Sequence, residues 1–380
     1  MGNKSINYDF KLFSAVAMVL VVAGHILPWN TSVFYGLFPL YTFHVAAFVF
    51  VTGYFYKPEH EERLADFFVK KVRTLVIPMY VIYTLYAVVL IAMQHMGFTY
   101  GPKEITWQTL LIMPWTNGLH IRLNKPMWFI GALFVAESIN ILLRKAVSRI
   151  VKNKTALELG IFVLYMIIGA IGMHYGSQGN GVTGSPNMAI WRACFFLACI
   201  GMGRVYRCFI ESHDTCSNTM YFSVIIAIQL ALLLSGHNIN CNVSRGYFPS
   251  GVLVTYVQAI TGIAALLRVC KILGPQIGSS KTVLAVADNT FSIMNHHYFV
   301  FILLSAALGG LSLLGVPFLG DFSWQELMSH DMYFFLPAGQ KAFVAVYIAL
   351  GLAVPIFTHK LWTRLKGAVM HKDTQPAASK

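Results

Sequence analysis

The sequence predicts an all-α integral membrane protein, a bundle of about ten transmembrane helices with both termini cytoplasmic. Three observations carry this: the composition, the spacing of apolar runs, and the placement of basic residues. Of the 380 residues, 57% are hydrophobic and only 11% are charged, which is more apolar surface than a soluble globule of this length can hide. Runs of the roughly 17–25 residues that a helix needs to cross a bilayer fall at about 12–29, 36–56, 74–93, 127–143, 156–174, 189–209, 219–235, 250–268, 285–308 and 340–360. No small-residue cleavage site follows the first run, so it reads as a retained span and not as a cleaved signal.

A formal net charge of +13 would suggest nucleic acid in a soluble chain. Here the charges alternate by loop. Lys4 and Lys11 precede the first span, and Lys57, Arg63, Lys70, Lys71 and Arg73 follow the second. Further basic groups follow the fourth, sixth, eighth and last spans. The intervening loops hold only Lys103, Arg122, Lys125, Arg245 and Lys341. Basic residues accumulate in cytoplasmic loops, so topology accounts for the charge: the expected environment is a lipid bilayer, and no nucleic-acid partner is expected. The six cysteines form no CxxC pair, which indicates neither a disulfide framework nor a zinc site. No metal is expected.

Between the second and third spans, KPEHEERLADFFVKKVRTLVIP has Leu64, Phe67, Phe68 and Val72 at helical spacing, the pattern of an amphipathic surface helix. Pro78 then opens the third span. ITWQTLLIMPW is apolar but too short to cross, and reads as re-entrant or interfacial. Segments 175–188 and 236–249 are rich in Gly, Asn and Ser; such surface connections also suit a sugar. The acidic segment 315–339, with Asp321, Glu326 and Asp331, belongs outside. One domain is expected over 1–366, with 367–380 as a disordered cytoplasmic tail. The absence of an internal repeat weighs against an inverted-repeat transporter.

The polar residues inside the spans are the candidates for chemistry. His25 lies in FSAVAMVLVVAGHILPW, where an unsatisfied imidazole costs a few kcal/mol and where ionisable residues usually mark function. A helix-packing histidine is the alternative. With 1.5 Å of rise per residue, His25, His44 and His297 all reach the middle or outer half of the membrane, and Glu137 and Arg192 are placed to join them. Lys11, Ser14 and His25 share one face of the first span, with Lys11 roughly 20 Å from His25. That geometry suits an elongated donor with an anionic head at the cytoplasmic side; the alternative for Lys11 is snorkelling to the interface.

The stretch KLFSAVAMVLVVAGH resembles the first-span motif of the membrane-bound acyltransferase-3 family, which includes sugar and polysaccharide O-acetyltransferases. YTFHVAAFVFVTGYFY, FFVKKVRTLVIPMY, NKPMWFIGALF, WRACFFLACIGMGRVY and NTFSIMNHHYFV resemble later landmarks in the family's order, together covering residues 8 to about 305. The Phe-His of the second span points to the fucose 4-O-acetylase-like branch. Two positions depart from the pattern: Lys11 stands where the family has an acidic residue, and Ser14 where it has an arginine. Lysine cannot reproduce a bidentate arginine contact, so a rebuilt donor site is expected.

The resemblance implies a bacterial cell-membrane enzyme that moves an acyl group, most simply acetyl, from cytoplasmic acyl-CoA to a sugar hydroxyl of a cell-surface or lipid-linked glycan. Acetyl-CoA would be a cosubstrate, with no permanently bound cofactor. His25 would be the general base, with His297 or His44 orienting it or donating to the oxyanion. Lys11, Ser14, Lys70, Lys71 and Arg73 would hold the donor, although the basic triplet equally fits an anchor to anionic lipid. Trp128, Glu137, Arg192 and Asn295 would line the acceptor site. Arg192 as a buried partner of Glu137 or of a carbonyl, and Trp128 as an ordinary interfacial aromatic, are the alternatives. The rival function is a transporter of a glycan or proton-coupled solute, with the histidines as a proton relay. A degenerate acyltransferase acting as a membrane interaction partner is a third.

Overall fold

The computed structural model describes residues 6–28, 31–178, 187–236 and 241–372, with 367–372 as backbone alone. The helices are α1 (Tyr8–Ile26), α2 (Leu40–Tyr54), α3 (Leu64–Lys71), α4 (Ile77–His95), α5 (Trp107–Leu111), α6 (Met113–Thr116), α7 (Trp128–Ile150) and α8 (Lys154–Gln178). They continue as α9 (Asn187–Val205), α10 (Asn218–Leu234), α11 (Gly251–Ile277), α12 (Lys281–Asp288), α13 (Thr290–Ser312), α14 (Trp324–Ser329) and α15 (Ala342–Lys372). Among the described residues, eight helices are long and apolar enough to cross a membrane. Two shorter apolar helices, α2 with 15 residues and α10 with 17, lie on the remaining two runs.

The second run begins later than its hydropathy suggested. Residues 37–39 are a strand, β2 (Leu37–Pro39), paired antiparallel with β1 (Ser32–Phe34). Tyr35 and Gly36 both take positive φ, 40° and 90°, the backbone of a two-residue hairpin turn. Gln229 of α10 is 1% exposed and ties this hairpin down. Its carbonyl accepts from the Phe38 N–H at 3.0 Å, and its amide donates to Gln258 at 2.9 Å and Thr261 at 2.7 Å. A polar side chain in an apolar bundle is stable when its hydrogen-bonding groups are matched in this way.

The amphipathic segment also differs in detail. α3 passes through a π-helical turn, Val72–Val76, straight into α4. Pro78 has no N–H to continue an α-helical ladder, and the wider turn accommodates the lost bond. ITWQTLLIMPW forms α5 and α6, two short helices. The final helix runs to Lys372, so the segment expected as a tail begins as helix; 373–380 lie outside the described residues, as do 179–186 and 237–240 of the two polar loops.

Small residues set the closest approaches. A Cβ on Gly203 of α9 would overlap the Phe50 carbonyl of α2, and one on Gly53 of α2 would overlap the Ile200 carbonyl of α9. Gly169 and Gly172 of α8 bring that helix equally near to Cys194 and Ala198 of α9. Such contacts let backbones meet where lipid gives no hydrophobic drive to association. α1 is enclosed by α2, α11, α12, α13 and α15.

One end of the bundle is clamped by ion pairs. Glu158 accepts from Arg144 and Arg204, each at 2.7 Å, and Arg144 also reaches Glu61 at 3.2 Å. Arg268 pairs with Asp214 at 2.7 Å, and the Tyr54 hydroxyl donates to Glu211 at 2.8 Å. Phe10, near the start of α1, stacks on Tyr54 with ring centroids 4.0 Å apart. The N-terminus of α1 therefore lies at the same end as the basic loops.

Lys71 meets Glu137 of α7 at 2.5 Å. Its partner was open from sequence, where Arg192 was the candidate. Arg192 instead takes the other partner expected for it, a carbonyl, that of Ser244.

Two stability outcomes follow from these contacts. Gly203→Val should cost upward of about 2 kcal/mol by overpacking, seen as a lower thermal midpoint of the detergent-solubilised protein. Lys71→Met alone should cost about 2 kcal/mol, less than a fully buried pair because the Lys71 side chain is 24% exposed. Lys71→Met combined with Glu137→Leu should recover most of that loss in the same melting measurement.

Candidate functional site

α1 positions the site. Ser14, Met18, Val21 and His25 are spaced four, three and four residues apart, one stripe of a helix, and all four line a cavity of about 580 Å³. Ser14 to His25 covers about 16 Å of helix. Tyr41, His44 and Phe48 of α2, Trp128 and Phe129 of α7, and Thr290, Met294 and Tyr298 of α13 form the other walls. Leu75, in the π turn that follows Lys70 and Lys71 and contains Arg73, contributes at the Ser14 end. Arg122, Lys125 and Arg245 contribute near the His25 end.

The three histidines come together as the sequence suggested, in unequal roles. The His25 ring lies 5.1 Å from that of His297 and 5.6 Å from Tyr298, which meets it edge-on. His297 Nδ1 contacts the Ile293 carbonyl at 2.7 Å. A carbonyl only accepts, so Nδ1 carries the proton and Nε2 presents a lone pair. That Nε2 is buried and has no hydrogen-bond partner. His44 Nδ1 likewise bonds the Leu40 carbonyl, which leaves its Nε2 as an acceptor. The expected oxyanion-donor role for His44 or His297 therefore does not fit a neutral ring, since neither Nε2 has a proton to donate. Of the pair, His44 lines the cavity; His297 lies behind it, against His25.

The remaining candidates divide sharply. Ser14 and Trp128 line the cavity, whereas Lys11 pairs with Asp288 of α12. Lys71 is taken by Glu137, so neither faces a substrate with a free charge. Lys70 and Arg73 remain exposed at the basic end. Arg192 is 1% exposed; its guanidinium donates to the Ser244 carbonyl, at 2.9 Å from Nε, and lies 5.0 Å from the Trp128 ring. It therefore braces two wall residues from behind. Asn295 is fully buried, donates to the Phe291 carbonyl at 2.7 Å, and is not part of the lining.

Among the lining residues that sequence reasoning did not assign to the site, five are titratable. The Tyr41 hydroxyl donates to the Gly24 carbonyl and so fixes α2 against the turn that carries His25. Tyr298 donates to the Asp331 carbonyl at 2.9 Å. Lys125 pairs with the Asp331 carboxylate at 2.6 Å and lies 5.3 Å from the centre of the Tyr298 ring. Arg122 and Arg245 complete the set. Their signal was present: these three cations are exceptions to the charge alternation, and Tyr41 is three residues from His44.

A partly open, mostly apolar cavity with the His25 imidazole at one end and exposed cations near the other can hold an extended molecule and, through a neutral imidazole, accept a proton from it. No curated protein and no solved structure matches this chain. The acyltransferase-3 family model, described as an acyltransferase domain, matches residues 7–358. With that match over nearly its whole length, and with helices fit to cross a membrane, the chain belongs to the acyltransferase-3 family of membrane acyltransferases.

Proposed function

We propose that this protein is an O-acetyltransferase that moves an acetyl group from cytoplasmic acetyl-CoA to a sugar hydroxyl of a cell-surface or lipid-linked glycan, in the fucose and polysaccharide O-acetyltransferase branch of its family. It sits in the bacterial cytoplasmic membrane with ten spans, α2 and α10 completing the eight longer ones, and with both termini in the cytoplasm. The observation that carries this reading is the cavity along α1, with His25 at one end and the basic π-turn segment beside the other.

In this mechanism Lys70 and Arg73 receive the phosphates of acetyl-CoA, and the pantetheine arm follows the Ser14 to His25 stripe and carries the thioester to His25. His25 takes the proton of the acceptor hydroxyl as that oxygen attacks the thioester carbonyl. The tetrahedral intermediate collapses with cleavage of the carbon–sulfur bond. The departing thiolate takes the proton back from His25, leaving the ester and free CoA thiol. His297 packs against the His25 ring and limits its orientation, Trp128 offers a face for a sugar ring, and Arg192 holds Trp128 in place.

The unpartnered His297 Nε2 beside His25 also suits a proton relay, which keeps a proton-coupled transporter as the second reading. Reconstituted protein with radiolabelled acetyl-CoA and a glycan acceptor separates the two. His25→Ala should lower acetyl transfer at least a hundredfold with unchanged protein level, and His44→Ala should lower it less. Undiminished transfer in His25→Ala would remove the base assignment. Solute uptake driven by a proton gradient, without consumption of acetyl-CoA, would establish transport.

A further inference from the structure

The charge carried by the cavity wall bears on the acceptor. Arg122 comes from the turn Arg122–Met127 before α7, and Arg245 from the turn Val243–Arg245 before α11. These distant segments converge with Lys125 on one cavity. Among the described residues, no Asp or Glu is part of its lining. Lys125 is matched by Asp331 at 2.6 Å, whereas neither arginine has an ion-pair partner among the described residues. The charges of Arg122 and Arg245 both bear on Lys125, and that of Lys125 on His25. The cluster and the imidazole thus share one electrostatic neighbourhood.

Unbalanced positive charge in a cleft with apolar walls concentrates anions. These arginines also sit on the side of the bundle where basic residues are scarce, so topology does not explain them. A guanidinium presents a planar fork matched to carboxylate and phosphate. From Lys125 the contacts run over the Tyr298 ring to His25, so an anion held by the cluster and a hydroxyl held at His25 would be neighbours on one molecule.

We propose that the molecule entering this end of the cavity is an acidic saccharide, whose carboxylate or phosphate is bound by Arg122 and Arg245 beside the hydroxyl that reacts. The role as acceptor rests on the transfer reading above; the anion site does not.

The test pairs binding with turnover, using full-length protein in neutral detergent. The probes are trigalacturonate, its methyl ester and a phosphorylated trisaccharide. Trigalacturonate should bind at least about tenfold more tightly than its ester, and Arg245→Gln and Arg122→Gln should each remove most of that advantage. Arg245 is exposed, so its variant is the safer fold. Lys341→Gln, an outer-loop cation off the cavity, should change nothing. Whichever acid loses more affinity in Arg245→Gln identifies the group. Equal binding of acid and ester, or an Arg245→Gln variant that binds the acid normally, would overturn the inference even if acetyl transfer proceeds. Arginine-dependent binding without transfer to any probe would uphold the anion site and remove the transferase reading. Displacement of the saccharide by stoichiometric phosphatidylglycerol would assign the site to lipid and overturn the inference.

Discussion

The arrangement of this bundle depends on enclosing α1. That helix carries Ser14 and His25 on one stripe, and a stripe of that kind cannot face hydrocarbon without a cost of several kcal/mol. α2, α7 and α13 turn aromatic and polar side chains toward it. The backbone of α1 is in turn gripped at Gly24 by the Tyr41 hydroxyl. The cavity is what remains between helices that must surround a polar face yet cannot fill it. Its chemistry and its shape have the same origin.

Enclosure of α1 needs rigid neighbours, and two devices supply them. Within the bundle, Gly53 and Gly203 let α2 and α9 touch backbone to backbone, fixing the wall that holds His44. At the basic end, Glu158 draws Arg144 and Arg204 together while Asp214 and Glu211 hold the ends of α9 and α11. Each carboxylate there has a cationic or hydroxyl partner, which offsets the desolvation that buried charges otherwise suffer. Lys70 and Arg73 lie outside this clamp and remain exposed.

The helices were legible because hydropathy over twenty residues is a strong signal: every apolar run corresponds to a helix, and the stripe from Ser14 to His25 follows from helical periodicity alone. The convergence of His25 with His297 was legible from depth. What the chain concealed were partners. Lys11 with Asp288, Lys71 with Glu137 and Arg192 with the Ser244 carbonyl are contacts between residues remote in sequence, and no local pattern encodes them. Tautomers were hidden for a different reason: the deciding carbonyls, Leu40 for His44 and Ile293 for His297, lie only one turn back on the same helix, but whether a ring turns to its own backbone depends on the side-chain rotamer, which sequence does not give. The hairpin before α2 was missed because Leu37 and Phe38 are as apolar as the helix that follows, and only the backbone at Tyr35 and Gly36 distinguishes them.

That hairpin also bears on the length of α2. Fifteen residues of α2 give a rod of about 22 Å, against a hydrocarbon layer of roughly 30 Å, and Phe34 and Tyr35 project from the strand pair at 60% and 90% exposure. No residue of α2 is exposed, so neighbouring helices and not lipid surround this short rod, and the missing length is taken up by the hairpin, whose exposed aromatic rings are side chains suited to the membrane interface.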